Sequence, residues 1–202
     1  MKAMAVKFVL ASASPRRREL LASIGLEFDV IPSAVPEVRA AGESPEEYVA
    51  RLSREKAAAI AARHAERWVI AADTTVLLGE ELLEKPLDAA DAMRMLATIA
   101  GKTHIVYTGV TLQNAAGGYH DTRVAESEVR MLPLSEREIE WYVATGEPLD
   151  KAGAYAVQGI GSMFIDSVHG SYTNVVGLPL ALLYQMLKRA GIDPLAAAFN
   201  LS

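Results

Sequence analysis

The chain contains no cysteine, which excludes disulfide bonds, thiolate nucleophiles and metal sites with cysteine ligands. Its apolar runs are short and interrupted, so no membrane span is expected. Basic residues are not in excess, since 20 Lys and Arg stand against 25 Asp and Glu and the formal net charge is −5. This acidic balance argues against a nucleic-acid binder. Any polyanionic ligand must therefore meet a local cluster of cations.

Common catalytic signatures are absent as well. The sequence has neither a phosphate-binding G-x-x-x-x-G-K-[ST] loop nor a dinucleotide fingerprint opening a helix. It has no Gly-x-Ser-x-Gly elbow, which disfavours a serine hydrolase of that type. The four His residues do not have the spacing of a metal site. Any catalytic activity of this chain must therefore depend on residues outside these common motifs.

Length and composition predict an α/β protein. With 202 residues, of which 51% are hydrophobic, the chain can bury a substantial core. Predicted strands and helices intermix throughout, without a repeat or a low-complexity linker, which predicts one domain over residues 1–202 with a mixed sheet. The segment Met1–Ala5 lacks the apolar stretch and cleavage site of a signal peptide, so we expect a cytoplasmic location.

Capping residues and apolar periodicity predict the individual elements. Strands are expected at Phe8–Ala11, around Phe28 and Val30, at Trp68–Ala72 with Thr75–Leu78 as a continuation, at His104–Leu112, at Val124–Leu132, and in short pieces between Gly153 and Gly177. Helices are expected at Pro15–Ile24, from Pro45 to about His64, from Asp88 to near Gly101, from Ser135 to Gly146 and at Leu180–Arg189.

The segment Ser12–Arg18 carries an electrostatic anomaly. Ser14 is placed as a helix N-cap and Pro15 as the first helical residue, and three consecutive arginines follow from Arg16. A helix N-terminus carries a partial positive charge and disfavours cations in its first turn. Arginines there, beside unpaired backbone N–H groups, predict a site for an anion such as phosphate.

Other polar residues are ambiguous one by one. Asp73 follows a run of apolar and small residues at the expected end of a buried strand, where it is either a metal ligand or water-activating base, or a turn residue. Lys56 shares a helix face with apolar residues, where it either joins a site or extends its ammonium group to water. Lys85 is either functional or part of an exposed turn. Glu37 lies in a predicted loop and is uninformative by itself.

The stretch Gln158-Gly159-Ile160-Gly161 predicts a close backbone approach. Two glycines allow the chain to pass near a ligand or near another strand. The Gln158 amide is either a reader of a nucleobase edge or an exposed strand residue. The sequence leaves both alternatives open.

Taken together, several motifs resemble the Maf family, once called septum formation inhibitors. They are Ser12-Ala13-Ser14-Pro15-Arg16-Arg17, Arg54-Glu55-Lys56-Ala57, Ala72-Asp73-Thr74, Glu84-Lys85-Pro86, Gly146-Glu147-Pro148-Leu149-Asp150-Lys151-Ala152-Gly153, Gly170-Ser171-Tyr172 and Asn174-Val175-Val176-Gly177-Leu178-Pro179. The resemblance extends from about Val6 to about Leu187, and motifs this numerous in this order are specific as a set.

The resemblance implies a hydrolase that converts a nucleoside triphosphate and water into the monophosphate and pyrophosphate, with Mg²⁺ or Mn²⁺ as cofactor. It implies a mixed, twisted sheet with flanking helices and two lobes around a central cleft, as in inosine triphosphate pyrophosphatases, and a homodimer. The Gln158-Gly159-Ile160-Gly161 stretch resembles the branch acting on dTTP and UTP, and modified pyrimidine nucleotides are further candidates. The branch acting on 7-methyl-GTP is the alternative.

The same resemblance assigns the site residues. It makes Asp73 the proton acceptor, with Lys56 and Lys85 as catalytic cations around the phosphates. It places substrate binding on Ser12, Ser14, Arg16, Arg17, Thr74 and Gln158, of which Arg16, Thr74 and Gln158 tune base specificity, and metal binding on Glu37 and Asp73. A nucleotide-binding regulator of cell division is a competing function, and it would need the cations but no Asp73.

Overall fold

Capping side chains start most of the helices. In the computed structural model, which describes residues 7–199, the side chains of Ser14, Ser44, Asp88 and Ser135 each accept a hydrogen bond from the backbone N–H three residues on. Ser44 and Ser135 form complete capping boxes with a glutamate. Each cap satisfies a backbone donor that the helix leaves unpaired. The motif-based helix starts are confirmed.

The elements follow in chain order. The strands are β1 (Phe8–Leu10), β2 (Phe28–Val30), β3 (Trp68–Leu78), β4 (Glu81–Leu83), β5 (Thr103–Asn114), β6 (Tyr119–Met131) and β7 (Ile165–Gly170). The helices are α1 (Pro15–Ser23), α2 (Pro45–Ala61), α3 (Ala89–Ile99), α4 (Glu136–Ala144), α5 (Tyr172–Val176), α6 (Leu180–Arg189) and α7 (Pro194–Phe199). Three 3₁₀ turns lie at Glu147–Asp150, Ala152–Ala154 and Gly159–Phe164.

The strands form a mixed sheet, as predicted. Its order is β2-β1-β3-β5-β6-β7, with β4 paired to β3 outside this path. Strand β1 pairs in parallel with β2 and with β3, whereas the β3–β4 and β6–β7 pairs are antiparallel. The mixed α/β architecture with flanking helices is therefore confirmed.

The chain divides into two compact units. The described part of the first unit covers residues 7–73, 108–125 and 177–199, and the second covers residues 74–107 and 126–176. In the first unit, alternate residues of β1 face opposite ways, as the two-residue period of a strand requires. Val9 packs against α2, while Phe8 and Leu10 pack with residues of α1 and α6.

The second unit has its own core. Side chains from α3 and α4 pack there with residues of β3 to β6 and of the 3₁₀ turns. Leu96, Ile99 and Tyr142 in this core are fully buried. Burial of Leu96 and of Ile99 contributes about 1.5–3 kcal/mol each. The prediction of one domain over residues 1–202 with two lobes stays a prediction.

Some element predictions need correction. Strand β3 runs without a break from Trp68 to Leu78, so Asp73 lies in its interior and not at its end. The glycine-rich region between Gly153 and Gly177 contains a single strand, β7, together with 3₁₀ turns and α5. Left-handed backbone at Gly153 and Gly159 turns the chain there instead of extending it. Strand β4 and helices α5 and α7 were not predicted.

A glycine sets the distance between α2 and β5. A Cβ atom built on Gly109 would overlap the backbone carbonyl of Val49, and backbone has little room to move. We expect Gly109→Ala to lower the free energy of unfolding by about 1–3 kcal/mol, the usual cost of overpacking, and Gly109→Val to lower it further. Urea unfolding measures both, and an alanine variant as stable as the parent protein would contradict this close packing.

Among residues 7–199, none of the helices combines the length and apolar character needed to cross a bilayer. Residues 1–6, on which the signal-peptide argument rests, lie outside the described part of the chain.

Candidate active site

The loop between β1 and α1 brings two serines and an arginine together. Ser14 Oγ accepts a hydrogen bond from the backbone N–H of Arg17 at 3.4 Å, as its prediction as N-cap requires. Ser12 is buried, and its Oγ accepts from Ser14 N at 3.2 Å and from Arg17 Nη1 at 3.3 Å. No acidic residue lies in the first turn of α1. These contacts bring Ser12, Ser14 and Arg17 together at the start of α1, where the anion site stays a prediction.

Arg17 is also held from the far end of the chain. Its Nε donates to the carbonyl of Gly177 at 2.8 Å. Gly177 has a φ of 118°, which favours glycine because it lacks a Cβ. Burial lowers the pKa of Arg17, and the nearby charges of Asp73 and Glu37 oppose that shift. Arg16 is half-buried like Arg17, whereas Arg18 is exposed.

Lys56, Glu37 and Asp73 form one charged cluster in the first unit. Lys56 Nζ lies 2.6 Å from Asp73 Oδ1 and 2.5 Å from Glu37 Oε1. The side chains of Lys56 and Asp73 are only 7% and 8% exposed, so this pair is shielded from water. The alternative in which Lys56 extends to water is therefore wrong. Its ammonium group partly neutralises two carboxylates that would otherwise repel each other.

The surroundings of Asp73 tune its proton affinity. Burial raises the pKa of Asp73 above its ordinary value, while the charges of Lys56 and Arg17 counteract that rise. A carboxylate with a raised pKa that is still close to cations has the properties of a general base. The proton-acceptor role of Asp73 stays a prediction.

The position of Asp73 explains why the sequence expectation was partly wrong. The parallel pairing of β3 with β1 reaches only Ile70, and the N–H of Ala11 closes that ladder on the Ile70 carbonyl at 2.8 Å. Asp73 lies just beyond, past the carboxyl end of β1, which is the usual place for functional groups in an α/β sheet. Strand β3 itself continues, because it also pairs with β5 and, from Val76 to Leu78, with β4.

Two residues that the sequence reasoning missed hold the loop of Glu37. Arg51 in α2 makes a two-pronged ion pair with Glu43, from Nε at 2.7 Å and from Nη2 at 2.8 Å. Arg51 Nη2 also donates to the carbonyl of Val38, the residue after Glu37, at 2.9 Å. The Arg51 hydrogen bonds lower the pKa of Glu43 to about 2. The sequence could have indicated this ion pair only through the opposite charges of Glu43 and Arg51, eight positions apart.

A divalent metal would fit this cluster only in part. Among residues 7–199, no group of three or more His, Asp or Glu residues could hold an ion. Glu37 and Asp73 nevertheless approach the same ammonium nitrogen, so their oxygens are no farther apart than the sum of those two contacts. Mg²⁺ is usually bound by one or two carboxylates plus water and substrate phosphates. Two carboxylates are an incomplete set of ligands, so a metal here would need water and substrate oxygens to complete its coordination.

Three predicted site residues belong to the second unit. Thr74 is half-buried in β3, Lys85 is exposed after β4, and Gln158 is half-buried before the 3₁₀ turn at Gly159–Phe164. The first unit thus brings together Ser12, Ser14, Arg17, Glu37, Lys56 and Asp73. The roles of these residues, like those of Thr74, Lys85, Gln158 and Arg16, stay predictions.

Nearly the whole chain is similar to named bacterial proteins. The protein named dTTP/UTP pyrophosphatase of Myxococcus xanthus (strain DK1622) is 54% identical over 184 residues, covering 91% of this chain and 92% of that relative. The protein of the same name from Anaeromyxobacter dehalogenans (strain 2CP-C) is 52% identical, covering 93% of this chain and 96% of that relative.

Solved structures are more distant. The Ham1 protein of Staphylococcus aureus has 16% sequence identity and a TM-score of 0.49, covering 91% of this chain and 99% of that chain. The HAM1 protein of Coxiella burnetii has 13% identity and a TM-score of 0.48, with the same coverage. The family described as Maf-like protein matches residues 7–190, which contain every site residue named above. With this match and relatives above 50% identity over nine-tenths of their length, the chain belongs to the Maf family.

Proposed function

We propose that the protein is a nucleoside triphosphate pyrophosphatase that hydrolyses dTTP and UTP, and modified pyrimidine nucleotides of the same kind. The observation that carries the proposal is the high identity, over nearly full length, to relatives named dTTP/UTP pyrophosphatase. The cluster of Glu37, Lys56 and Asp73 supports it, because a nucleotide-binding regulator has no need of a buried carboxylate beside a lysine.

The proposed reaction is attack of water on the α-phosphorus. Asp73 takes a proton from the water as the new oxygen–phosphorus bond forms, and the bond between the α- and β-phosphates breaks to release pyrophosphate. The substrate carries about four negative charges, so cations are needed to stabilise the leaving group. Arg17 and Lys56 supply such charges in the first unit.

A divalent cation, Mg²⁺ or Mn²⁺, is part of the proposal. Glu37 and Asp73 would hold it, and when bound it would neutralise phosphate charge. Ser12 and Ser14 would orient the phosphates through their hydroxyl groups. Lys85 is proposed as a further phosphate-binding cation, and Arg16, Thr74 and Gln158 as residues that select the base. A cytoplasmic homodimer completes the proposal.

Pyrophosphate release tests this function directly. Purified protein is incubated with dTTP, UTP, GTP and 7-methyl-GTP, each with Mg²⁺ or Mn²⁺, and the products are quantified. We expect one pyrophosphate and one monophosphate per dTTP or UTP, and far slower release from 7-methyl-GTP. Preferential hydrolysis of 7-methyl-GTP would place the protein in the other branch of the family, and no release from any nucleotide would favour a regulator.

A further inference from the structure

A glutamate in the second unit holds the backbone next to Gln158. Glu147 opens the 3₁₀ turn that follows α4, and its carboxylate accepts hydrogen bonds from Ile160 N at 3.0 Å and from Gly161 N at 2.8 Å. Both donors belong to Gly159–Gly161, which we call the Gly159 turn. Bonds to an ionised acceptor are roughly twice as strong as neutral ones. One carboxylate therefore fixes the chain immediately after Gln158.

The Gly159 turn can approach this carboxylate closely only because residue 159 is a glycine. Gly159 has a φ of 69°, in the left-handed region that favours glycine, and a Cβ atom built there would overlap Glu147 Oε1. The sequence left open whether the glycines approach a ligand or another strand. The structure shows that Gly159 approaches the carboxylate of Glu147.

Glu147 is itself held on both sides. The Tyr142 hydroxyl accepts from Ala156 N at 3.1 Å, so its own proton is directed to the Glu147 carboxylate. Burial works against the charged form, but the hydrogen bonds from Tyr142 and the Gly159 turn keep the pKa of Glu147 below its ordinary value. Lys151 Nζ also donates to the Glu147 carbonyl at 2.5 Å. The carboxylate is therefore charged at neutral pH and has a fixed direction.

Gln158 combines a fixed backbone with an available side chain. Its backbone is extended, with φ −110° and ψ 164°, and its side chain is half-buried. In the part of the chain that the structure describes, the Gln158 amide makes no hydrogen bond. An amide offers one acceptor oxygen and two donor hydrogens, which match the N3–H and O4 groups on the edge of thymine or uracil.

We propose that Glu147 is a positioning residue for base recognition: by holding the Gly159 turn, it sets the direction in which the Gln158 amide meets the base of a pyrimidine nucleoside triphosphate. This inference rests on the proposed function, in which Gln158 contacts the base. Cytosine reverses the hydrogen-bonding pattern of this edge, since it carries an amino donor where thymine and uracil carry an oxygen. The preference for dTTP over CTP therefore reports on the direction of the amide.

The test compares kcat/KM for dTTP and CTP in the parent protein and in Glu147→Ala, Glu147→Gln and Gln158→Ala. We expect Glu147→Ala to reduce the dTTP-to-CTP ratio by about tenfold, through a higher KM for dTTP, and Gln158→Ala to reduce it similarly. Glu147→Gln keeps one acceptor oxygen and should lie between the parent and Glu147→Ala. Gly159→Ala, which displaces the carboxylate from the other side, should reduce the ratio as well.

Controls separate positioning from folding. Glu140→Gln removes an exposed carboxylate from α4 and should leave the ratio unchanged. A purely structural role for Glu147 would lower kcat equally for both nucleotides, with a lower melting temperature and an unchanged ratio, and would overturn the inference. If the parent releases pyrophosphate but Gln158→Ala alone changes the ratio, only the inference fails. If the parent releases none, or prefers neither base, the proposed function fails and the inference with it.

Discussion

Asp73→Asn is expected to lower the turnover number for dTTP by about 10²- to 10⁴-fold, the usual contribution of a positioned general base. Asparagine has the shape of aspartate but cannot take a proton from the attacking water. The fold should persist, because Lys56 keeps Glu37 at 2.5 Å when the charge at position 73 is lost. Removing a negative charge from a site for a polyanion should leave the affinity for dTTP unchanged or raise it. Turnover is measured by pyrophosphate release, and affinity by calorimetry in EDTA.

A surface aspartate of the same unit provides the control for this variant. Asp29 in β2 pairs with Arg67 and is 68% exposed, so Asp29→Asn should leave turnover at the parent level. Near-parent turnover in Asp73→Asn would show that Asp73 is not the base. Weakened binding of dTTP with unchanged turnover would instead make Asp73 a substrate-positioning group.

The local signals of the sequence were sufficient for the five longer helices, α1 to α4 and α6, but not for the short helices α5 and α7. Ser14, Ser44 and Ser135 cap helices in the structure because capping depends on residues three positions apart. The arginines of α1 were likewise read from one short segment, and the structure gives Arg17 its contacts with Ser12 and Gly177. Local chemistry of this kind needs no knowledge of the fold.

Some residues of the family motifs have a structural role and not a proposed catalytic or binding role. Asn174 is fully buried, and its amide donates to the carbonyl of Val106 at 3.1 Å and to Ser127 Oγ at 3.0 Å. Lys151 is bonded to the carbonyl of Glu147 and to Asp150. These residues belong to the motifs of the family, yet their contacts are structural. The sequence pattern alone does not separate the two kinds.

Contacts between distant residues could not be predicted in this way. Glu147 and the Gly159 turn are separated by a dozen residues, and Arg17 and Gly177 by most of the chain. The interior position of Asp73 in β3 has a similar cause, because pairing with β5 and, from Val76, with β4 extends the strand beyond Asp73. Apolar periodicity predicts which residues are buried, but it does not predict which other element packs against them.

The second large effect is expected from Lys56→Met, which should lower the free energy of unfolding by about 3–5 kcal/mol, the cost of removing one partner of a buried ion pair. Methionine fills similar volume but leaves Asp73 buried without its nearest cation, beside the like charge of Glu37. The loss should be measured by urea unfolding in EDTA. The exposed Lys102 offers the control, since Lys102→Met should stay within about 0.5 kcal/mol of the parent.

The pH dependence of this loss follows from the pKa of Asp73, which burial already raises in the parent. Without Lys56 that pKa rises further, so the folded variant binds a proton more tightly than the unfolded chain does. Its stability relative to the parent then falls as pH rises above the pKa that Asp73 has in the folded parent, and the deficit should be largest near neutral pH. Combining Lys56→Met with Asp73→Asn should remove most of the deficit, because asparagine is neutral and leaves no unpaired charge in the buried site. If Lys56→Met costs as much stability in the Asp73→Asn background as in the parent, Lys56 stabilises the fold through packing and not through the ion pair.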